Sequence, residues 1–374
     1  MRSSYTGMKL GIIGLPHCGK TTLFSALTHD YNPTGKKVVD GKAQIATAIV
    51  SVPDERIEWL SNHYNPTKVS HAKITFQDIS GITNNQETFP RSLLTILSQV
   101  DGFIHVVRNF DDPNMPHPMQ RINAEEDIKI LLDEFAINDM LIVERKLESL
   151  NSEWNKGGGR DRPEIEYEQK LFEQLHHTLE TKYGIDTLQL TKQQQKLISG
   201  FGFLTSKPML IVLNDDDKSQ KQKYPVNTIR HGKLKTEVIS LMSKLEMEIA
   251  QLDQDDASFF MKEYGMSETV LDKIIQSAYK MMSLKSFYTV GNNEIRAWAI
   301  TDNTNAQQAA GTIHSDMQSG FIRAEVMSFA NLKELGSESL VKAAGKWRLE
   351  GKEYIVQDGD IINIRFSPPR NNQN

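Results

Sequence analysis

The run Gly14-Leu15-Pro16-His17-Cys18-Gly19-Lys20-Thr21, with Thr22 after it, has the spacing G-x-x-x-x-G-K-[ST], and the chemistry of that spacing is phosphate binding. Its glycines allow a tight turn whose backbone N–H groups face one concavity, to which the N-terminus of a following helix adds its own amides. Lys20 supplies a point charge for β- and γ-phosphates, and the Thr21 hydroxyl is a hard oxygen ligand suited to Mg²⁺. The pattern carries this meaning only between a strand and a helix. MKLGII at positions 8–13 is short, apolar and ended by Gly14, as a buried parallel strand would be, and TLFSALT at 22–28 reads as the helix. Cys18, the one cysteine, sits beside that helix N-terminus, where a thiol pKa is lowered. It is either a reactive group whose modification blocks the site or a small buried filler.

Two further elements extend the site. Asp78-Ile79-Ser80-Gly81 follows the strand-like KITF at 73–76, in the place of D-x-x-G in switch-bearing GTPases. There Asp78 holds the Mg²⁺ shell through water and the Gly81 amide meets a γ-phosphate. The next residue, Ile82, stands where a Ras-like enzyme keeps the glutamine that orients water, so water is held by a group from elsewhere or hydrolysis is very slow. Asn214-Asp215-Asp216-Asp217 follows the apolar Met209–Leu213 where N-K-x-D would stand. Asp217 retains a carboxylate able to accept guanine N1 and N2 hydrogens, but the lysine is missing. Asn214 and Asp217 therefore support a base pocket without naming the base, with a solvated acidic turn as the alternative.

These residues need a frame. Short apolar segments at 74–76, 102–107 and 209–213 alternate with helix-like stretches, as in an α/β fold with a mostly parallel sheet. From Ala124 to Lys196 the chain is rich in Glu, Lys, Gln and Leu. Two apolar stripes at helical spacing flank the breaker GGGRDRP at 157–163, which predicts an antiparallel helical hairpin or short coiled coil. From Leu284 alternating segments at 295–300, 323–326 and 361–366 predict a small β-rich domain. The expected division is a nucleotide domain at 8–123 and 201–283, an insertion at 124–200, a C-terminal domain at 284–367 and a tail at 368–374.

At 374 residues two or three domains are expected. With 43 Lys+Arg against 48 Asp+Glu, a net charge of −5 argues against a globally polybasic nucleic-acid binder, and no DNA partner is expected. A single cysteine excludes an intrachain disulfide and a Cys-built zinc site. No apolar run approaches the ~18 residues of a membrane span, and the N-terminus lacks the apolar stretch of a secretory signal. A cytoplasmic monomer with no membrane partner is expected.

The residues also resemble one family, the YchF/Obg-like ATPases. AGTIHSDMQSGFIRAEVMSF at 310–329 and GKWRLEGKEYIVQDGDIINIRF at 345–366 look like that family's TGS domain. VPDERI at 52–57, VVRNFDDPN at 106–114, VERKLESL at 143–150 and LTSKPMLIVLN at 204–214 match it as well. The resemblance implies a P-loop domain interrupted by a helical hairpin, a ubiquitin-like TGS domain, ATP preferred over GTP, and association with the ribosome or ribosomal RNA. It also implies a hydrophobic residue in place of the catalytic glutamine, matched by Ile82, and a loop histidine that assists hydrolysis, matched by His117; without the resemblance His117 reads as an ordinary exposed loop residue. Two departures stand out. GKAQIATA at 41–48 replaces the family's P-F-x-T-I-E-P-N, putting Lys42 at the threonine, and TNNQETFPRSLL at 83–94 lacks its G-x-G-L-G-N segment. The expected function is a slow Mg²⁺-dependent ATPase that engages ribosomes. A binding module without turnover, and a GTPase, are the alternatives. Lys156, Arg160 and Arg162 at the hairpin tip, with Arg323, Lys346 and Arg348, are the candidate RNA-phosphate contacts.

Overall fold

A computed structural model describes residues 8–28, 37–39, 43–80, 89–157, 159–182, 184–216, 238–249, 269–291 and 293–367, with the isolated positions 252, 256 and 259. The strands, in chain order, are β1 (Lys9–Ile13), β2 (Lys37–Val39), β3 (Ala43–Ser51), β4 (Lys68–Ser70), β5 (Lys73–Ser80), β6 (Gly102–Asn109), β7 (Met209–Asp215), β8 (Val238–Leu241), β9 (Leu284–Val290), β10 (Glu294–Thr301), β11 (Phe321–Ser328), β12 (Arg348–Glu350) and β13 (Asp360–Phe366). Among the helices are α1 (Lys20–Thr28), α2 (Glu55–Tyr64), α3 (Arg91–Gln99), α4 (Ala124–Lys156), α5 (Arg162–Lys182), α6 (Lys192–Ile198) and α7 (Ser243–Ile249). The chain forms two compact units, one of Lys9–Ala48 with Phe76–Leu271 and one of Met1–Met8, Ile49–Thr75 and Asp272–Asn374.

The first unit is built on a seven-stranded sheet in the order β2-β3-β5-β1-β6-β7-β8. β1 pairs parallel with β6, β6 with β7 and β7 with β8, while β2 and β3 pair antiparallel. A parallel strand covered on both faces must be apolar throughout, and all eight residues of β6 are buried. One side of the sheet is closed by α3 and α4, whose Leu93, Ile96, Leu97, Leu131 and Phe135 pack with Ile13, Ile79 and Phe103.

α4 begins at Asn123, whose side chain accepts the Glu126 N–H, and ends at Gly157 in the left-handed region at φ 66, the usual chemistry of helix caps. It packs against α5 through Val143, Leu150, Ile165, Phe172, Leu175 and Leu179. Glu144 faces His176 at 3.5 Å and Lys146 faces Glu168 at 2.9 Å; the partner numbers fall as the first numbers rise, so the two helices run antiparallel. Arg160, in the connection, is engaged with Glu153 at 3.5 Å, Glu164 at 3.9 Å and Glu168 at 2.5 Å. Arg162 lies over the Trp154 ring at 5.2 Å. The Arg160 charge expected to face phosphate is thus met by carboxylates of its own helices.

The second unit holds a six-stranded sheet in the order β12-β11-β13-β9-β10-β4, with Phe287, Ile300, Ala309, Ala324, Val326 and Ile362 in its core. Residues 49–75, read from the sequence as part of the nucleotide domain, belong here. β4 pairs parallel with β10. Arg56 donates to Asp54 at 2.9 Å and to Asp358 at 2.6 Å, Tyr288 donates to Asp54 at 2.5 Å, and Trp59 meets Phe329 edge-on. Burial pushes the Tyr288 phenol up, and the adjacent Asp54 carboxylate pushes it further.

Candidate nucleotide site

In open α/β sheets ligands bind beyond the carboxyl ends of the strands, and there the first unit has a cavity of about 900 Å³. Pro16, His17, Gly19, Lys20, Thr21 and Thr22 line one part of it. Gly14, Leu15 and Cys18 form the turn itself. Gly14 has φ 150, Gly19 φ 97 and His17 φ 61, so three residues of this turn use backbone space that L side chains rarely adopt. A Cβ at Gly14 would strike the Val106 carbonyl oxygen, and one at Gly19 would strike the Asn214 side chain. The glycines are therefore required by close approach as well as by φ. The Lys20 ammonium donates to the carbonyls of Gly14 at 2.9 Å and Leu15 at 2.8 Å, which folds the side chain back along the turn it serves.

The Thr21 hydroxyl donates to Asp78 Oδ2 at 2.9 Å, and Asp78 is buried. A hydroxyl and a carboxylate held together at the edge of a phosphate cradle form a hard-oxygen pair that fits Mg²⁺. Ser80, at the end of the same strand, also lines the cavity.

Asn214, at 6% exposure, also lines the cavity. Its Nδ2 donates to the Cys18 carbonyl at 3.0 Å and its Oδ1 accepts the Ser243 N–H at 3.0 Å. The side chain thus ties the phosphate turn, β7 and the start of α7 together. Cys18 itself is 1% exposed, and burial pushes its thiol up, with Lys20 acting the other way. Of the two readings of Cys18 this favours the small buried filler, because desolvation outweighs the helix N-terminus and the ammonium. Gly81, Ile82, Asp217 and Lys42 lie outside the described residues.

Comparison with known proteins agrees with this geometry. A family model for 50S ribosome-binding GTPases matches residues 9–146, and one for the YchF GTPase C-terminal region, described as a protein of unknown function, matches residues 284–367. The chain is 34% identical over 369 residues to the "Ribosome-binding ATPase YchF" of Pasteurella multocida, covering 96% of this chain and 99% of the relative. It is 34% identical to the protein of that name from Bacillus subtilis, covering 96% and 98%. The chain belongs to the YchF family. Obg-like ATPase 1 of Xenopus laevis is 33% identical over 98% of this chain and 94% of its own. Among solved structures, the Schizosaccharomyces pombe YchF GTPase matches with a TM-score of 0.82 and 28% identity, covering 97% of this chain and 100% of that one. A GTP-binding protein from Pyrococcus horikoshii shares the fold, with a TM-score of 0.57 at 18% identity.

This YchF chain does not bring His117 into the cavity; Met115, two residues earlier, lines it. His117 is buried, its Nε2 is 2.8 Å from Asp127 Oδ2, and its Nδ1 accepts the Met119 N–H at 3.1 Å. An accepting Nδ1 places the ring proton on Nε2, so the imidazole donates to Asp127. Arg121 holds the other Asp127 oxygen at 3.2 Å. The exposed-loop reading of His117 is thereby corrected: the start of α4 buries it in a polar cluster.

Sequence reasoning missed the rest of the cavity lining. Phe110, Asp111 and Asp112 after β6, and Met242, Ser243 and Glu248 around α7, line the cavity. Arg108, 1% exposed, donates through Nε to the Phe110 carbonyl at 3.1 Å, with its guanidinium 4.4 Å from the Phe110 ring centroid. The position of Phe110 just past a parallel strand was a usable signal. Nothing in the short apolar VISL before Met242 pointed to Ser243. Among the described residues no helix is long and apolar enough to cross a membrane.

Proposed function

We propose that this protein binds ATP with Mg²⁺ and hydrolyses it slowly to ADP and phosphate, and that it associates with ribosomes in the cytoplasm as a monomer. The observation that carries the reading is the phosphate turn, with Lys20 folded along it and Thr21 joined to the buried Asp78, in a chain similar over nearly its whole length to proteins named ribosome-binding ATPases. Thr21, with Asp78 behind it, would hold the Mg²⁺, and the chemistry the ion supplies is charge neutralisation at the β- and γ-phosphate oxygens. The backbone N–H groups of residues 14–21, Pro16 excepted, and the Lys20 ammonium bind and orient the phosphates. Gly81 is proposed to meet the γ-phosphate through its amide, and Asn214 to fix the turn. Asp217 is proposed to complete the base pocket; the loss of lysine from Asn214–Asp217 favours adenine over guanine.

His117 is proposed to orient the attacking water, which requires its segment to leave Asp127 during turnover. That displacement, together with Ile82 in place of glutamine, accounts for a slow rate. The α4–α5 pair is proposed as the family's helical hairpin and residues 284–367 as its TGS domain, the two parts that contact the ribosome. Equilibrium titration with ATP and GTP, followed by single-turnover phosphate release, tests the reading. Lys20→Ala should abolish binding, and His117→Ala should lower the release rate with ATP affinity nearly unchanged. GTP bound at least tenfold more tightly than ATP would sink the adenine assignment, and absence of any release would favour a nucleotide-dependent binding module.

A further inference from the structure

The cavity wall at the carboxyl ends of β6 and β7 contains a contact that the phosphate chemistry does not use. β6 and β7 are parallel neighbours, and their register sets Asn109 opposite Asp215 as the last pair at the carboxyl ends. Asn109 is 5% exposed, and its Nδ2 donates to Asp215 Oδ1 at 2.5 Å. Asp215 lines the cavity, as do Phe110 and Asp111 on the segment that Asn109 begins. One position further on, the Asp111 N–H donates to Asp216 Oδ2 at 3.4 Å. Each of these two carboxylates therefore has one oxygen committed to the end of β6 or to the residues just after it. Among the described residues no side chain or backbone group hydrogen-bonds the second oxygen of Asp215.

A carboxylate with both oxygens available suits a partner with two parallel N–H groups. Guanine offers such a pair in N1–H and N2–H, whereas the corresponding edge of adenine has a single donor group, the N6 amine, beside the acceptor N1. We propose that Asn109 is a specificity-determining residue: by occupying one Asp215 oxygen it leaves a single acceptor facing the base, which serves the adenine amine and denies guanine its paired contact. The inference rests on the adenine reading above and names the pair that enforces it. Asn109 acts through Asp215, so it is a positioning residue. Removing its amide frees Asp215 to accept two hydrogens. Asp215→Asn, with its carbonyl oxygen taken by Asn109, turns an N–H toward the base and so favours guanine O6. The reciprocal exchange, Asn109→Asp with Asp215→Asn, rebuilds the hydrogen bond in reverse and again leaves a lone acceptor oxygen in the cavity.

The test is titration of the full chain with ADP and GDP, which do not turn over. Wild type should bind ADP at least tenfold more tightly than GDP. Asn109→Leu and Asp215→Asn should each reduce that ratio at least fivefold, and the reciprocal double variant should restore it to within twofold of wild type. An unchanged ratio in Asn109→Leu overturns the inference, as does an equal loss of affinity for both nucleotides in every variant, which would make the pair a structural tie. Failure of the adenine reading is visible in wild type alone, as a ratio near or below one. Failure of the present inference appears only in the variants.

Discussion

His105 lies on β6, fully buried, and among the described residues neither ring nitrogen has a hydrogen-bond partner. Burial, with a smaller contribution from the nearby Lys20 ammonium, pushes its pKa down to about 3. The unfolded chain takes up this proton near the ordinary histidine value of ~6.5, whereas the folded chain takes it up only near 3. Below about 6.5 the unfolded state therefore binds more protons, and this residue's contribution to stability declines as the pH falls, by about 1.4 kcal/mol per unit. His105→Leu removes that proton site at similar volume. We expect the variant to gain about 2 kcal/mol relative to wild type between pH 6.5 and 5, read from hydrogen exchange of the β6 amides at the two pH values. A constant difference across that interval would mean that His105 is not buried neutral. A histidine within an apolar strand gives no sign in the sequence of whether its ring will find a partner, whereas the roles of Lys20 and Thr21 are readable because their spacing is itself the chemistry.

At the scale of elements, α4 is joined to α3 by a short polar clamp. The Asp139 carboxylate, fully buried on α4, accepts the Leu204 N–H at 3.0 Å, the Thr205 N–H at 2.8 Å and the Thr205 hydroxyl at 2.7 Å. Two residues after Thr205, Lys207 Nζ donates to the carbonyls of Leu97, Ser98 and Val100, where the last turn of α3 leaves acceptors unpaired. Asp139→Ala should cost about 2–4 kcal/mol, because these donors and the Asn138 amide, 3.1 Å from Oδ1, lose one buried acceptor, while Asp139→Asn should cost less, since its carbonyl oxygen still accepts. Thermal unfolding of both variants checks this, with equal shifts counting against it. The long helices and the central strands follow patterns that a sequence displays: β1, β6 and β7 are largely apolar, β5 alternates polar and apolar residues, and α4 carries its stripe for 33 residues. β4 and β8 do not. KVS and VISL are three and four residues long, too short for a period, and β4 is a strand only because β10 lies beside it. The cavity wall after β6 and at α7 was hidden for a related reason, since its side chains meet only when separate strand ends are set next to one another.

For the molecule as a whole, the second unit is assembled from distant parts of the chain. α2 and β4, with the Arg56, Asp54 and Trp59 contacts, complete a core whose other residues begin at Asp272. A fragment of residues 272–374 should therefore fold poorly, with the β10 edge open for pairing with other chains. The same fragment joined by a flexible linker to residues 49–75 should give the dispersed amide spectrum of a folded domain; equal dispersion from both fragments would show that α2 and β4 are dispensable. The composition also has a consequence for the order of events during synthesis. Arg56 and Asp358 are 302 positions apart, and at roughly 5–20 residues per second the ribosome takes on the order of 15–60 s to make the stretch between them. For most of that interval residues 49–75 are outside the exit tunnel with their final partners unmade, so the nascent chain carries an unsatisfied helix and strand until translation is nearly complete. A chain that stalls or terminates before about residue 360 leaves that segment exposed, which makes it a natural handle for chaperones and proteases on incomplete products.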